Sequence, residues 1–418
     1  MEVRILLLGS GAREHAILSA LLLEDAGHDV TVATGNAGIS DEATTIALDP
    51  ANPQLIAEFA ADNDIELVVI GPEAPLVAGV ADAVRQRGIP VFGPSKAAAQ
   101  LEGSKAFAKR IMDEAGVPTG QAVHASTLEE IASALDNFGA PYVVKADGLA
   151  AGKGVLVTHD RDAAIAHAEH YLQLGPVLIE EFLDGQEVSL FLFADGSTVV
   201  PLSPAQDYKR VADGDLGPNT GGMGAYSPLP WLPAGFVDEV VGTVALPVIR
   251  QLAAEGTPFS GLLYCGLIVT AKGLRVIEFN ARFGDPETQV VLPRLVTPLS
   301  ELLLASATGS LGDLPPLEFS DDVCVTVVLA SEGYPENPQT GRAISGLEDA
   351  ASVPGVRILH AATARDRNQL IATGGRVLSV VARAADFTEA RARAYRALDK
   401  ITLEGSHYRT DIAARVAH

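Results

Sequence analysis

Four short apolar runs punctuate the first part of the chain, and each ends in a glycine-bearing turn. Residues 3–8 lead into GSGAREH, 30–33 into TGNAG, 67–70 into GPEAPL and 89–92 into GPS. A continuous apolar run of this length reads as a strand buried on both faces. Helical signals fill the gaps: Ile17, Leu18, Leu21 and Leu22 share one helix face, and residues 53–62 and 75–87 read as helices. Strand, turn and helix in alternation predict a doubly wound parallel α/β domain. Ligands of such sheets sit at the carboxyl ends of the strands, which is where the first three turns lie. GSGAREH is not a dinucleotide fingerprint. Glu14 stands where the third glycine belongs, and no acidic residue ends the second strand. Backbone amides at a helix start still favour an anion, so a phosphate is the expected guest.

The middle of the chain changes character. Residues 100–117 read as one helix, with Phe107, Ile111 and Met112 inward. Lys105 stands near its start, where acids are preferred, and so hints at phosphate. In YVVKADGLAAGKGVLVT, strands 142–145 and 154–158 flank a glycine loop. It is not a P-loop: Gly148 and Gly152 are too close, Gly154 follows Lys153, and a strand follows instead of a helix. Such a loop can still lie across phosphates, with Lys145 adding a point charge. Strand 177–180 runs into EEFLDGQE, a hinge pattern. Backbone groups near Glu181 and Leu183 suit an adenine edge, and Glu187 suits ribose hydroxyls.

Strands 188–193 and 198–202 precede a long Gly/Asp/Asn/Pro loop at 205–228. Long ordered loops tend to be functional. Its Asp207, Lys209 and Arg210 suit a small zwitterion and a phosphate. An amphipathic helix, 236–252, is expected to bend at Pro247. Strands 261–270 and 274–280 follow, the second opening VIEFNARFGDPETQ. Glu278 and Asn280, two apart, project to one strand face and offer hard oxygens to Mg2+ held on phosphates. Arg282, Gly284, Asp285 and Glu287 crowd the turn beyond, around Pro286. After Gly309 comes a linker-like stretch. Strands at 324–330, 343–345, 356–359 and 377–381 and a helix at 387–399 then predict a small α+β domain.

Composition excludes some classes. With 418 residues, 48% hydrophobic and 20% charged, the chain is globular and multidomain. A formal net charge of -23 argues against a general binder of nucleic acid or anionic membrane, though not against a locally held anion. MEVRILLLGSG reads as a strand entering a glycine loop, not a leader, and no apolar run reaches the ~18 residues of a membrane span. Cys265 and Cys324 lie in apolar runs and read as reduced core cysteines of a cytoplasmic protein.

Taken in order, GSGAREHA, GNAG, GPEAPL, LEGSKAF, KADGLAAGKGV, IEEFLDGQE, QDYKR, GPNTGGMGAYSP, IEFNARFGDPETQ and GGRVLSV resemble the phosphoribosylamine–glycine ligases of the ATP-grasp superfamily. RFGDPETQ and GPNTGGMG carry most of the specificity. The resemblance spans the chain and implies three domains: 1–103, a pre-ATP-grasp α/β domain; 104–310, an ATP-grasp domain with a lid at about 118–186; and 311–418, α+β. It implies ATP-dependent ligation of glycine to 5-phosphoribosylamine through glycyl phosphate in purine biosynthesis. Magnesium is the implied metal, with manganese as a substitute, and the chain is implied to be a monomer, with a dimer as alternative.

By position, the N-terminal turns with Gly11, Asn36, Gly38 and Glu73 would help bind phosphoribosylamine. Lys105 and Lys145 would touch ATP phosphates under the loop Gly148, Gly152, Lys153 and Gly154. Glu180, Glu181 and Leu183 would hold adenine and Glu187 ribose. Glu278 and Asn280 would bind the metal. Asp207, Lys209, Arg282, Gly284 and Asp285 would shape the glycine and phosphoribosylamine pocket, with Arg282, Asp285 and Lys145 as catalytic groups. Departures from the family pattern are Thr34 for Pro, Tyr208 for His, a short span at 171–177 and Ala413 for Gly. A formate- or bicarbonate-using relative and a non-catalytic ATP-binding regulator are the rival readings.

Overall fold

The computed structural model describes residues 2–148 and 154–417. Gly152 and Lys153 lie outside the described residues. The N-terminal apolar runs pair as a parallel sheet in the order Thr44–Ile46, Asp29–Thr34, Arg4–Gly9, Leu67–Ile70 and Val91–Phe92. Ile5 to Leu8 are fully buried because helices cover both faces of this central strand. Strand order reverses beside Arg4–Gly9, so a crevice opens where GSGAREH, TGNAG and GPEAPL leave the sheet. The edge strand Thr44–Ile46 has only three residues and left no pattern to read.

Two helices break where single ones were expected. Residues 75–87 form Glu73–Ala78 and Val80–Arg85, separated by Gly79 at φ +94°, a conformation that costs glycine little. Residues 100–117 form Gln100–Gly103 and Lys105–Glu114. Ser104 between them is extended, and its hydroxyl caps the second helix by accepting the Phe107 N–H at 3.1 Å. Lys105 thereby becomes the first helical residue. The expected bend at Pro247 takes the form of a π-turn, Val241–Ala245, between Phe236–Val240 and Leu246–Ala254. Proline has no N–H to donate back along the helix, so the ladder loosens there.

Two antiparallel sheets follow. The smaller has the order Ala122–Ala125, Val177–Glu180, Tyr142–Ala146 and Val155–Thr158, backed by helices Leu128–Phe138 and Arg161–Leu172 with their own small core. The larger has the order Val199–Pro201, Gly185–Asp195, Ser260–Thr270 and Gly273–Asn280. The Val276 N–H, donating to Pro118 O at 2.8 Å, ties one sheet to the other.

A further sheet draws on distant parts of the chain: Gln206–Asp207, Gly224–Ser227, Val323–Ala330, Arg376–Ala384 and Val356–His360. The 205–228 segment is therefore more than a loop. It adds two strands to this sheet and forms the hairpin Arg210–Ala212 and Leu216–Asn219. Its Gly and Asp content hid these strands, one of which, Gly224–Ser227, has its partner Val323–Ala330 about a hundred residues away. Both cysteines are buried and unpaired by disulfide, and burial pushes the Cys324 thiol up to about 12. Among the described residues, no helix is long and apolar enough to cross a membrane.

Candidate active site

The hinge between the two antiparallel sheets is built on one carboxylate. Glu180 ends strand Val177–Glu180 and is 6% exposed. Its two oxygens take Lys145 Nζ at 2.6 Å and Lys109 Nζ at 3.2 Å. Burial pushes the Glu180 carboxyl up, but the two ammonium groups outweigh that and hold it below the usual range. Lys109, unremarkable in sequence, also donates to Thr119 Oγ1 at 2.9 Å and Gly120 O at 3.0 Å. Glu181 latches the hinge: its N–H donates to Gln121 O at 2.9 Å, and its carboxylate accepts the Gln121 N–H at 3.2 Å. The Leu183 side chain packs toward Gly120.

Lys105 and Gly148 come together beside this hinge. The Lys105 N–H donates to Asp147 Oδ1 at 2.6 Å, and Lys105 Nζ reaches Gly148 O at 3.2 Å. Asp147 thus satisfies the open helix start at Ser104 and Lys105 and aligns it with the glycine loop. Burial lowers the Lys105 ammonium pKa, against the pull of Glu278. At the far side of the loop, Gly154 O accepts the Ala146 N–H at 2.8 Å.

Strand Gly273–Asn280 crosses in front of these lysines. Its pairing with Ser260–Thr270 slips at Gly266/Leu267, leaving Ile277 outside the ladder. The freed Ile277 carbonyl accepts from Lys145 Nζ at 3.3 Å. Glu278 and Asn280 face Gly266 and Tyr264 in register and so share a face. Gly266 matters here: a Cβ on it would stand 3.1 Å from Glu278 Cγ.

Burial pushes the Glu278 carboxyl up, but Lys209, Lys145, Lys105 and Arg282 outweigh it and hold it below the usual carboxylate range. Among the described residues, no group of three or more His, Cys, Asp or Glu could hold a metal alone. A carboxylate and an amide oxygen in a field of lysines fit instead a hard cation shared with nucleotide phosphates.

Past Asn280 the chain turns toward the N-terminal sheet. Arg282 pairs with Glu102 at 2.9 Å and with Glu73 at 3.4 Å. Glu102 also accepts the Ala281 N–H at 2.8 Å, so it holds the turn twice. Burial raises the Glu102 carboxyl, against the pull of Arg282. Asp285 is pinned by Arg376, whose guanidinium lies 3.2 Å from its carboxylate and donates to its carbonyl at 2.7 Å. Glu287, 3% exposed, accepts from Ser189 Oγ at 3.0 Å and Tyr264 Oη at 2.7 Å. Gly284 leaves room for it, since a Cβ there would meet the Glu287 carboxylate at 2.7 Å.

The turns of the parallel sheet close the other side. The Gly11 Cα faces Asp285, with a Cβ there reaching 3.7 Å from Oδ2. Arg13 donates to Glu14 at 2.6 Å and to Phe283 O at 3.1 Å, and Glu14 accepts the Gly11 N–H at 2.6 Å. Glu14, the residue that broke the dinucleotide pattern, is thus the brace of its own turn. Asn36 spends its side chain on scaffold, donating to Ser10 O and His360 O, both at 2.8 Å, and accepting the Ile39 N–H at 3.0 Å. Gly38 is required because a Cβ would strike the His360 and His15 rings.

Asp207 and Lys209 approach from the third side. Lys209 Nζ pairs with Glu187 at 2.7 Å. Burial, together with Glu287, Glu187 and Glu278, raises the Asp207 carboxyl to about 8 against Lys209. The Lys209 ammonium is held well above its ordinary value: burial lowers it, and Glu187, Asp207 and Glu278 overcome that. A 770 Å³ cavity lies elsewhere, lined by Ser19, Leu23, Leu292, Val296, Leu299 and Arg383 among others, and includes none of these groups.

Sequence reasoning missed Lys109, Glu102, Arg13 and Arg376. Their roles depend on partners up to 270 residues away, as for Arg13 and Phe283.

Two four-stranded antiparallel sheets with the buried Glu180–Lys145 pair beside the end of strand Gly273–Asn280, in a segment that matches an ATP-grasp family model, define an ATP-grasp ligase. The biotin carboxylase domain of a 2-oxoglutarate carboxylase from Hydrogenobacter thermophilus, solved with MgADP, shares this fold with a TM-score of 0.73. The identity is 18%, over 98% of this chain and 92% of that one. The sequence matches family models of phosphoribosylglycinamide synthetase: the N domain over residues 3–102, the ATP-grasp (A) domain over 103–288 and the C domain over 324–415. A phosphoribosylamine–glycine ligase of Leifsonia xyli subsp. xyli is 73% identical over 416 residues, 99% of this chain and 100% of that protein. The crystal structure of phosphoribosylamine–glycine ligase from Thermotoga maritima matches with a TM-score of 0.84 at 34% identity, over 98% of this chain and 100% of that one. The chain belongs to the phosphoribosylamine–glycine ligase family.

Proposed function

We propose that this chain makes glycinamide ribonucleotide for purine biosynthesis by joining glycine to 5-phosphoribosylamine at the expense of ATP, through glycyl phosphate. The glycine carboxylate attacks the γ-phosphorus of ATP, and the bond to ADP breaks. The amine of phosphoribosylamine then attacks the acyl carbon, loses a proton, and expels phosphate. A carboxylate is already a nucleophile, so the protein supplies position and charge neutralisation.

The carrying observation is the strand end at Glu278, Asn280 and Arg282, where lysines of the hinge side and acids of the N-terminal side approach within five residues of one strand. Lys105 and Lys145 draw phosphate oxygens. Glu180, Glu181 and Leu183 frame the adenine and Glu187 the ribose. Glu278 and Asn280 would hold magnesium, or manganese in its place, which neutralises charge on the phosphates. Arg282, Gly284, Asp285, Asp207 and Lys209 form the glycine and phosphoribosylamine pocket, with Gly11, Gly38 and Glu73 at its N-terminal wall. Asn36 serves that wall by holding the turn. In the family reading the glycine loop at 148–154, most of which lies outside the described residues, would keep water from the acyl phosphate.

The same family reading carries domains at 1–103, 104–310 (with a lid at about 118–186) and 311–418, a cytoplasmic location, and a monomer in solution with a dimer as the alternative. Light scattering at working concentration checks the last. The decisive test is ADP release by the full chain with glycine and freshly generated phosphoribosylamine, each omitted in turn. Dependence on both is expected, and release that ignores either one refutes the substrate assignment.

A further inference from the structure

Arg409 is 1% exposed and lies outside the groups the reaction uses. Burying a guanidinium is costly unless its donors are paired. Here they are paired. Nε and one terminal nitrogen take the two Asp411 oxygens at 2.8 and 2.7 Å. The other terminal nitrogen donates to Asp215 at 2.9 Å and to Arg210 O at 3.1 Å. The guanidinium carbon stands 4.8 Å from the centre of the Tyr208 ring.

Neighbouring contacts tighten the same grip. The Thr410 N–H donates to Asp213 at 2.8 Å, the Gly214 N–H to Asp411 at 2.9 Å and the Ala413 N–H to Tyr208 Oη at 2.9 Å. Residues 409–413 thus clamp 208–215 from one side. Tyr208 also keeps its ladder, donating to Gly224 O at 2.9 Å and accepting the Met223 N–H at 2.8 Å.

Side chains alternate along such a paired segment. With Tyr208 turned to Arg409, Asp207 and Lys209 turn the other way, where Lys209 meets Glu187 at 2.7 Å. We propose that Arg409 is a positioning residue for the acceptor pocket: by gripping Tyr208 and the hairpin behind it, it fixes the face on which Asp207 and Lys209 are presented. This rests on the reading that Asp207 and Lys209 serve glycine and phosphoribosylamine. An apolar filler could plug the same space, but it could not hold Asp215, Asp411 and the Arg210 carbonyl in one plane.

The test uses full-length Arg409→Met and Arg409→Lys, with Lys209→Met as control, in steady-state ADP release. Arg409→Met is expected to raise the KM for glycine or phosphoribosylamine roughly tenfold with little change for ATP, because an interaction on the acceptor side is lost. Arg409→Lys, which keeps charge but not the fork, should fall between. If Lys209→Met shifts an acceptor KM while Arg409→Met only lowers the melting temperature, Arg409 is structural and the proposal is overturned. If Lys209→Met shifts neither acceptor KM, the pocket reading itself fails and the proposal falls with it. Should Arg409→Met not fold, Asp215→Asn, which removes a half-exposed partner, carries the same expected KM split and the same refutation.

Discussion

The two sides of the strand Gly273–Asn280 are held by different means. On the side proposed for the nucleotide, Glu180, Lys145, Lys105 and Gly148 all sit at or near the ends of neighbouring strands or helices within about eighty residues of sequence. A single shared carboxylate, Glu180, orders two lysines. On the side proposed for the acceptor, two of the charged groups are pinned by distant parts of the chain, Arg282 by Glu73 and Glu102 and Asp285 by Arg376, while Lys209 pairs with the nearer Glu187. The proposed nucleotide side is held mostly within one stretch of sequence, the Lys145 contact to the Ile277 carbonyl apart, and a motif can encode most of it. The acceptor side exists only when the N-terminal, central and C-terminal sheets have docked.

That contrast can be broken by substitution. Glu278→Ala strikes where the two sides meet and should have the largest effect, a loss of magnesium-dependent turnover of about 100-fold or more with the fold intact. Wild-type turnover in that variant would sink the metal assignment. Arg282→Ala should act on one side only. It leaves the buried Glu102 without its charge partner, and removing one partner of a buried pair costs roughly 3–5 kcal/mol. The KM for glycine or phosphoribosylamine should rise far more than that for ATP; unchanged values for both acceptor substrates would refute the division.

Glu102→Gln is a finer probe. The amide oxygen still accepts the Ala281 N–H, but the amide NH2 then faces the Arg282 guanidinium, so both the charge and the acceptor of that 2.9 Å contact are lost. A several-fold rise in acceptor KM, with ATP unaffected, is expected, and an equal rise for all substrates would blur the comparison.

The smallest effect is a pH dependence of stability. Burial raises the folded Asp207 pKa to about 8, above its unfolded value. The folded state therefore binds the extra proton. Stability from this group is present below the unfolded pKa and lost as pH rises toward 8. Asp207→Asn should thus gain in melting temperature relative to the parent between pH 5 and pH 8. A difference that stays flat, measured calorimetrically, would place Asp207 in a more solvated setting. Glu180 and Glu278, both held low, have the opposite sign and lose stability as pH falls.

Legibility in the sequence followed the same divide. Ile5 to Leu8 announced a central parallel strand because both faces are covered, and Glu278 and Asn280 announced a shared face because strand geometry has a period of two. Lys105 looked misplaced at a helix start, and the start is where it stands, with Asp147 accepting the N–H groups there. By contrast, nothing local marked Gly224–Ser227 as a strand, since its partner Val323–Ala330 lies far along the chain. Nor did anything local mark Lys109, which gains meaning only beside Glu180.

By itself, the sequence determined where strands and helices alternate, which turns face a ligand edge, and which oxygens could meet a phosphate-bound cation. These follow from short-range periodicity and backbone stereochemistry. Only the tertiary structure decided which charges neutralise one another, that Glu14 and Asn36 brace turns, and that the last residues clamp the Asp207–Lys209 segment. Those outcomes depend on distances across domains. A buried charge takes its state from whatever partner the fold brings within a few ångströms.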